Sequence, residues 1–218
     1  MQLLPAWRGD GIMNAPAPYY YLHRRNSLTY GSLFAGMLAV FMSTGYSWSA
    51  VWSLITISIF LDTFDGKFAR LFRRSESEAA FGIQLDSLAD AVVFGLVPIV
   101  CLYLLLDLGD SKIFAVIWSV GAFAYLLTGL TRLGCYNVHQ SSDDFFVGMP
   151  ITMAALVLCT VAAVTRSPII FVLVLASCSG AMVMPLRIPR PTGWKMLFFM
   201  GWVLAVFLRH AVNIGGLP

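Results

Sequence analysis

Apolar stretches broken by short polar segments run almost the whole length of the chain. Seven of them, roughly 28–46, 48–66, 84–106, 112–133, 148–165, 168–186 and 195–210, reach or approach the length at which a helix crosses a bilayer, about 20 residues. The last is the shortest. The second and third differ from the others because aspartates terminate one and open the other. The pattern predicts an all-α polytopic membrane protein.

Composition strengthens this reading. The chain has 218 residues, of which 59 % are hydrophobic and 11 % charged, with a mean hydropathy of +0.79. A soluble domain carries about 25 % charged residues, and one core of this size could not hide the surplus apolar surface. A cytosolic globular enzyme and a disordered chain are both excluded. We expect one membrane domain over residues 1–218, with an interfacial or cytoplasmic segment at 1–25, a transmembrane core at 26–210 and a tail at 211–218. Leu3, Leu4, Trp7 and the triplet Tyr19, Tyr20, Tyr21 suit the membrane interface, and residues 1–21 lack the pattern of a cleavable signal peptide. Cys101, Cys135, Cys159 and Cys178 sit singly among apolar neighbours and read as buried small hydrophobes. Trp48, Trp52, Trp118, Trp194 and Trp202 fall near span ends or on lipid-facing surfaces, as aromatic belts do. His23, His139 and His210 share no spacing. A net charge of +3 gives no argument for nucleic acid as a partner.

The basic residues orient the bundle. With a cytoplasmic N-terminus, eleven fall inside (Arg8, Arg24, Arg25, Lys67, Arg70, Arg73, Arg74, Arg132, Arg187, Arg190 and Lys195), against Lys112, Arg166 and Arg209 outside.

The chemistry is concentrated in the carboxylates. Of eleven acidic residues, four fall within 29 positions: Asp62, Asp65, Asp86 and Asp90. The first two are i,i+3 at the end of one span, and the others i,i+4 at the start of the next. The pairs therefore face one another across an antiparallel helix pair at the cytoplasmic side. Converging carboxylates repel unless a cation joins them, and hard oxygen ligands suit a pair of divalent ions, Mg²⁺ or Mn²⁺. Such a pair clamps a displacement at phosphorus. Gly66 and Ala69 clear a patch where a flat ring or a diphosphate approaches the backbone, and Arg70 supplies a bidentate phosphate donor. A helix–helix polar network or a cation-coupled transporter is the alternative for the same four aspartates. No internal repeat favours a transporter.

The run Asp62-x-x-Asp65-Gly66-x-x-Ala69-Arg70, followed after a spacer by Gly82-x-x-x-Asp86-x-x-x-Asp90, resembles the signature of the CDP-alcohol phosphotransferases. All eight marked residues are present, although the spacer has eleven residues where the family usually has eight. Leu71–Phe81, with Arg73, Arg74, Glu76 and Glu78, reads as a solvated loop. The resemblance implies a six-helix core, here with additional span or spans to about seven or eight helices, and a homodimer. It also implies a cavity facing the cytoplasm of a bacterial or archaeal cell, with two metals on Asp62, Asp65, Asp86 and Asp90. By the same resemblance Asp90 is the general base, and the substrates are CDP-diacylglycerol, held in membrane lipid, and a small alcohol.

Leu85-Asp86-Ser87-Leu88-Ala89-Asp90 with the later Phe94-Gly95 and Pro98, and Gly148-Met149-Pro150, is similar to the phosphatidylserine synthase branch. That implies L-serine as acceptor, with glycerol 3-phosphate, inositol or its phosphate, and choline as alternatives. Arg132-Leu133-Gly134-Cys135-Tyr136-Asn137-Val138 departs from the branch, which commonly has arginine at the place of Cys135. Asn26 and Thr29 resemble an Asn-x-x-Thr of the family's first helix; they either cap and hydrogen-bond locally at that helix start or lie near the nucleotide. Arg132 either faces a ligand or snorkels to the interface. Arg187, Arg190 and Lys195 provide either cytoplasmic positive charge or contacts to the acceptor.

Overall fold

The computed structural model describes residues 17–45, 47–69, 71–72, 75–138, 145–189 and 193–214. Leu3, Leu4, Trp7, Arg70, Arg73, Arg74, His139 and Arg190 lie outside these residues. Two short 3-10 turns, Pro18–Tyr21 and Arg24–Asn26, lead into α1 (Ser27–Met42) and α2 (Trp48–Ala69). Then come α3 (Glu76–Asp90), a π-helical segment Ala91–Leu96 and α4 (Val97–Leu105), which run on as one 30-residue helix. The remaining elements are α5 (Lys112–Val138), β1 (Phe145–Val147), α6 (Ile151–Ala162), α7 (Pro168–Val183), β2 (Arg187–Pro189) and α8 (Trp194–Ile214).

Among the described residues there are seven continuous helices, and they correspond to the seven stretches expected. Three of them, Glu76–Leu105, Lys112–Val138 and Trp194–Ile214, are long and apolar enough to cross a membrane by length and composition. The third stretch begins at Glu76 rather than near 84, so part of the expected solvated loop is helix. Ser75 caps it: its Oγ accepts from the Glu78 N–H and the Glu78 carboxylate accepts from the Ser75 N–H.

α2 packs between α1 and α8, and α5 lies against α7. Ser32 and Ser58 exchange hydroxyl-to-carbonyl bonds of 3.1 and 3.0 Å between α1 and α2. Small residues let helices approach closely where lipid supplies no hydrophobic drive. A Cβ on Gly36 would lie 3.1 Å from Val93. The core is built on Trp52, Ile55 and Ile59 of α2 with Phe94, Tyr125, Leu156 and Phe171, all fully buried. Here two expectations are corrected. Trp52 and Trp118 are buried rather than lipid-facing, Trp48 stands at the first residue of α2 as expected but is buried too, and the Trp52 ring stacks on Phe171 at an interplanar angle of 6°. Ring area on the inside contributes packing between helices, which lipid contact would not. Cys101, Cys159 and Cys178 are buried as expected, but Cys135 is exposed because it falls on the outer face of the last turns of α5.

The π-helical segment follows Asp90 directly. Pro98 has no N–H to give the Phe94 carbonyl four residues before it. The buried Tyr125 hydroxyl donates to that carbonyl instead, at 2.9 Å. The strands β1 and β2 pair antiparallel, Phe146 opposite Ile188, and tie the α5–α6 connection to the α7–α8 connection. Gly148 closes this junction at φ +74°, and a Cβ there would lie 2.2 Å from the Met182 carbonyl oxygen. Only glycine fits both conditions.

Candidate metal and nucleotide site

At one end of the bundle, the start of α1, the end of α2, α3, the end of α5, β1 and the start of α6 surround a cavity of about 680 Å³. Helix α2 brings Asp65 to its wall with Asp62 one turn earlier, and α3 brings Asp86 and Asp90 from the opposite side. Asp62, Asp65 and Asp86 each offer a carboxylate oxygen, and these oxygens lie within 4.8 Å of one another. The Asp62 carboxyl also meets that of Asp90 and the hydroxyl of Thr152 on α6. Asp90 Oδ1 is buried with no hydrogen-bond partner among the described residues. A buried anionic oxygen left open beside three other carboxylates fits a divalent cation, which takes oxygen ligands and offsets their repulsion. The donor set is therefore that of a hard metal ion.

Thr29 on α1 is buried and its Oγ1 donates to Asp65 Oδ2 at 3.0 Å. Asn26 is buried on the same wall, and its side chain caps no helix N–H. Both residues line the cavity, and Asn26 Nδ2 also donates locally to the Tyr21 carbonyl at 3.5 Å. Gly66 and Ala69 of α2 and Gly82 of α3 line the cavity; a Cβ on Gly66 would meet nothing within 4 Å. The glycines leave open room beside the carboxylates, where a ligand can lie against backbone. Arg132 also lines the cavity, 9 % exposed, with its guanidinium 5.3 Å from the Tyr136 ring centroid and 5.2 Å from that of Phe146. Arg187 and Lys195 are exposed and do not line it.

The model matching this sequence is that of CDP-alcohol phosphatidyltransferase, over residues 22–207. The chain belongs to this family. It is also similar to a CDP-diacylglycerol–serine O-phosphatidyltransferase of Helicobacter pylori strain J99, 33 % identical over 138 residues, 62 % of this chain and 55 % of that protein. The enzyme of the same name in Bacillus subtilis strain 168 is 30 % identical over 168 residues, covering 75 % of this chain and 88 % of the relative. An archaetidylserine synthase of Methanothermobacter thermautotrophicus is 30 % identical over 121 residues, 56 % and 49 % of the two chains. The matches thus span about half the length of the Helicobacter and archaeal relatives.

Several residues of this family member's cavity escaped the sequence reading. Arg25 is buried, bonds Glu78 through Nη2, and keeps Nη1 without a hydrogen-bond partner among the described residues. His23 Nε2 lies 3.5 Å from the same carboxylate. The Glu78 carboxylate thus accepts from Arg25 and from the Ser75 N–H at the start of its helix. The spacing Ser75-x-x-Glu78 is a capping-box signal that announces this helix start in the sequence. Asn137 Nδ2 donates to Ser87 Oγ at 2.9 Å and links α5 to α3 across the cavity. Phe146 comes from β1 in the α5–α6 connection and Thr152 from the first turn of α6, and neither carries a local signal.

Proposed function

We propose that the protein transfers the phosphatidyl group of CDP-diacylglycerol to the hydroxyl of L-serine and releases CMP, with the cavity open to the cytoplasm of a bacterial or archaeal cell. The observation that carries this reading is the convergence of Asp62, Asp65, Asp86 and Asp90 on one cavity beside a glycine-lined wall, in a chain of the CDP-alcohol phosphatidyltransferase family. The relatives' names support serine as acceptor.

In this reading Asp62, Asp65 and Asp86, with Asp90, hold two divalent ions, Mg²⁺ or Mn²⁺. When bound, these neutralise charge on the diphosphate and on the transferred phosphoryl group. Gly66, Ala69 and Gly82 let the nucleotide approach the backbone, with Arg70, Asn26 and Thr29 around it. Asp90 takes the proton from the serine hydroxyl as its oxygen bonds to phosphorus and the bond to CMP breaks. Arg132, clamped by Tyr136 and Phe146, holds the acceptor's carboxylate. Diacylglycerol stays in the bilayer throughout, which explains a membrane fold for a reaction of polar groups. A homodimer accords with the exposed apolar face of α5 at Ile113, Val116, Val120 and Phe123.

Purified protein given CDP-diacylglycerol and equal concentrations of L-serine, glycerol 3-phosphate, inositol, inositol phosphate and choline will form the serine lipid fastest, read by mass spectrometry. Robust product from another alcohol without any serine lipid would retire serine and leave the family and the aspartate site standing.

A further inference from the structure

A second cavity, of about 310 Å³, opens at the other end of the bundle. It lies where α2 begins, α6 ends and α8 ends. Trp48 at its wall and Asp65 in the first cavity are 17 residues apart on α2, about 25 Å along the helix axis. This cavity has less than half the volume of the first, and the two share no lining residue.

Its described lining is cationic. Arg166 and Arg209 both line it, no acidic residue does, and neither arginine is ion-paired among the described residues. The site is also braced. The Arg166 guanidinium stands 5.5 Å from the Trp48 ring centroid, and Trp48 Nε1 donates to the Ala162 carbonyl at 2.7 Å. His210 is buried, with Nε2 2.9 Å from the Cys159 carbonyl oxygen, which makes that nitrogen the donor. Thr165 and Asn213 add polar groups to the rim. Helix α8, which lines the cavity, exposes Leu204, Leu208 and Val212, and α7, which begins two residues after Arg166, exposes Ile169 and Leu173. A ligand bound here meets two guanidinium groups at its head and an apolar helix surface along its body.

We propose that this cavity binds the phosphodiester headgroup of an anionic membrane lipid, at the membrane surface opposite the aspartates. Guanidinium groups pair with phosphate oxygens in two-pronged contacts, and two of them with no acidic residue in the described lining favour a lipid of net negative charge over a zwitterionic one. The acyl chains then lie along α7 and α8. The site is separate from the transfer reaction, and its test is independent of the acceptor.

Full-length protein in detergent, titrated with phosphatidylglycerol or phosphatidylcholine and read by native mass spectrometry, tests this. The expected result is tighter retention of phosphatidylglycerol. R166Q and R209Q each weaken it about fivefold and the double variant about 30-fold, at about one basic residue's contribution apiece. The double variant keeps wild-type turnover of CDP-diacylglycerol, which shows that it is folded; should it fail to fold, the two single variants carry the measurement. Equal retention of the two lipids, or of phosphatidylglycerol by wild type and variants, would overturn the proposal. Inorganic phosphate at millimolar concentration should leave the lipid bound; displacement by it would assign the cavity to a free anion and overturn the lipid assignment.

Discussion

Replacing Thr29 by valine removes one hydroxyl and keeps the shape of the side chain. In the structure that hydroxyl makes a single contact of consequence, a 3.0 Å bond to Asp65 Oδ2 inside the protein. Thr29 is 7 % and Asp65 9 % exposed, so water cannot readily take its place. A hydrogen bond to a charged group contributes about 1.5–3 kcal/mol, which corresponds to about 10- to 150-fold in an equilibrium constant. Groups that orient metal ligands from behind show losses of about 10–100-fold in metal affinity or activity. Thr29→Val should therefore raise the Mg²⁺ or Mn²⁺ concentration for half-maximal CMP release by about 10–100-fold, with most of the turnover recovered at saturating metal. Thr29→Ser, which restores the donor, should return the midpoint close to wild type. The assay is CMP release from CDP-diacylglycerol in mixed micelles across a metal titration. An unchanged metal midpoint in Thr29→Val, with folded protein, would refute the orienting role of Thr29. A midpoint left displaced in Thr29→Ser would trace the effect to packing rather than to the hydroxyl.

Chelation by EDTA should abolish activity, and added Mg²⁺ or Mn²⁺ should restore it; full turnover in metal-free enzyme would contradict the carboxylate site. Asp90→Asn should keep CDP-lipid binding and lower turnover by about 10²–10⁴-fold, so near-normal turnover would remove Asp90 as the base. Two glycines separate structure from ligand room. Gly148→Ala puts a Cβ 2.2 Å from the Met182 carbonyl at a positive φ and should sharply lower the thermal midpoint, whereas Gly66→Ala, with nothing within 4 Å, should leave that midpoint unchanged and weaken CDP-lipid binding. Equal thermal midpoints for the two variants would contradict this contrast.

Much of the fold could be read from one dimension because lipid makes the rules simple. Backbone groups in hydrocarbon must be satisfied within the segment, so apolar runs of sufficient length become helices. The aspartates at i,i+3 and i,i+4 were legible for a similar reason: helical periodicity alone puts each pair on one face, and the short connection makes the two helices antiparallel. Gly66, Ala69 and Gly82 also declared themselves, since small residues spaced around carboxylates have few structural reasons to be there.

Other features depended on contacts between residues far apart in the chain. Nothing local told Trp52, stacked on Phe171 in the core, from a tryptophan of the interfacial belt, because hydropathy is high on every side of these helices and does not mark which face meets protein. The π-helical segment after Asp90 rests on Pro98 and on a tyrosine hydroxyl 31 residues beyond the carbonyl it satisfies. Thr152 joins Asp62, and Phe146 reaches Arg132, only because Gly148 seats the α5–α6 connection against α7. The sequence by itself determined the helices and the faces on which the carboxylates stand, through periodicity and the demands of lipid. Tertiary structure decided which faces turn inward and which side chains support the aspartates, because burial and hydrogen bonding depend on neighbours that sequence order does not name.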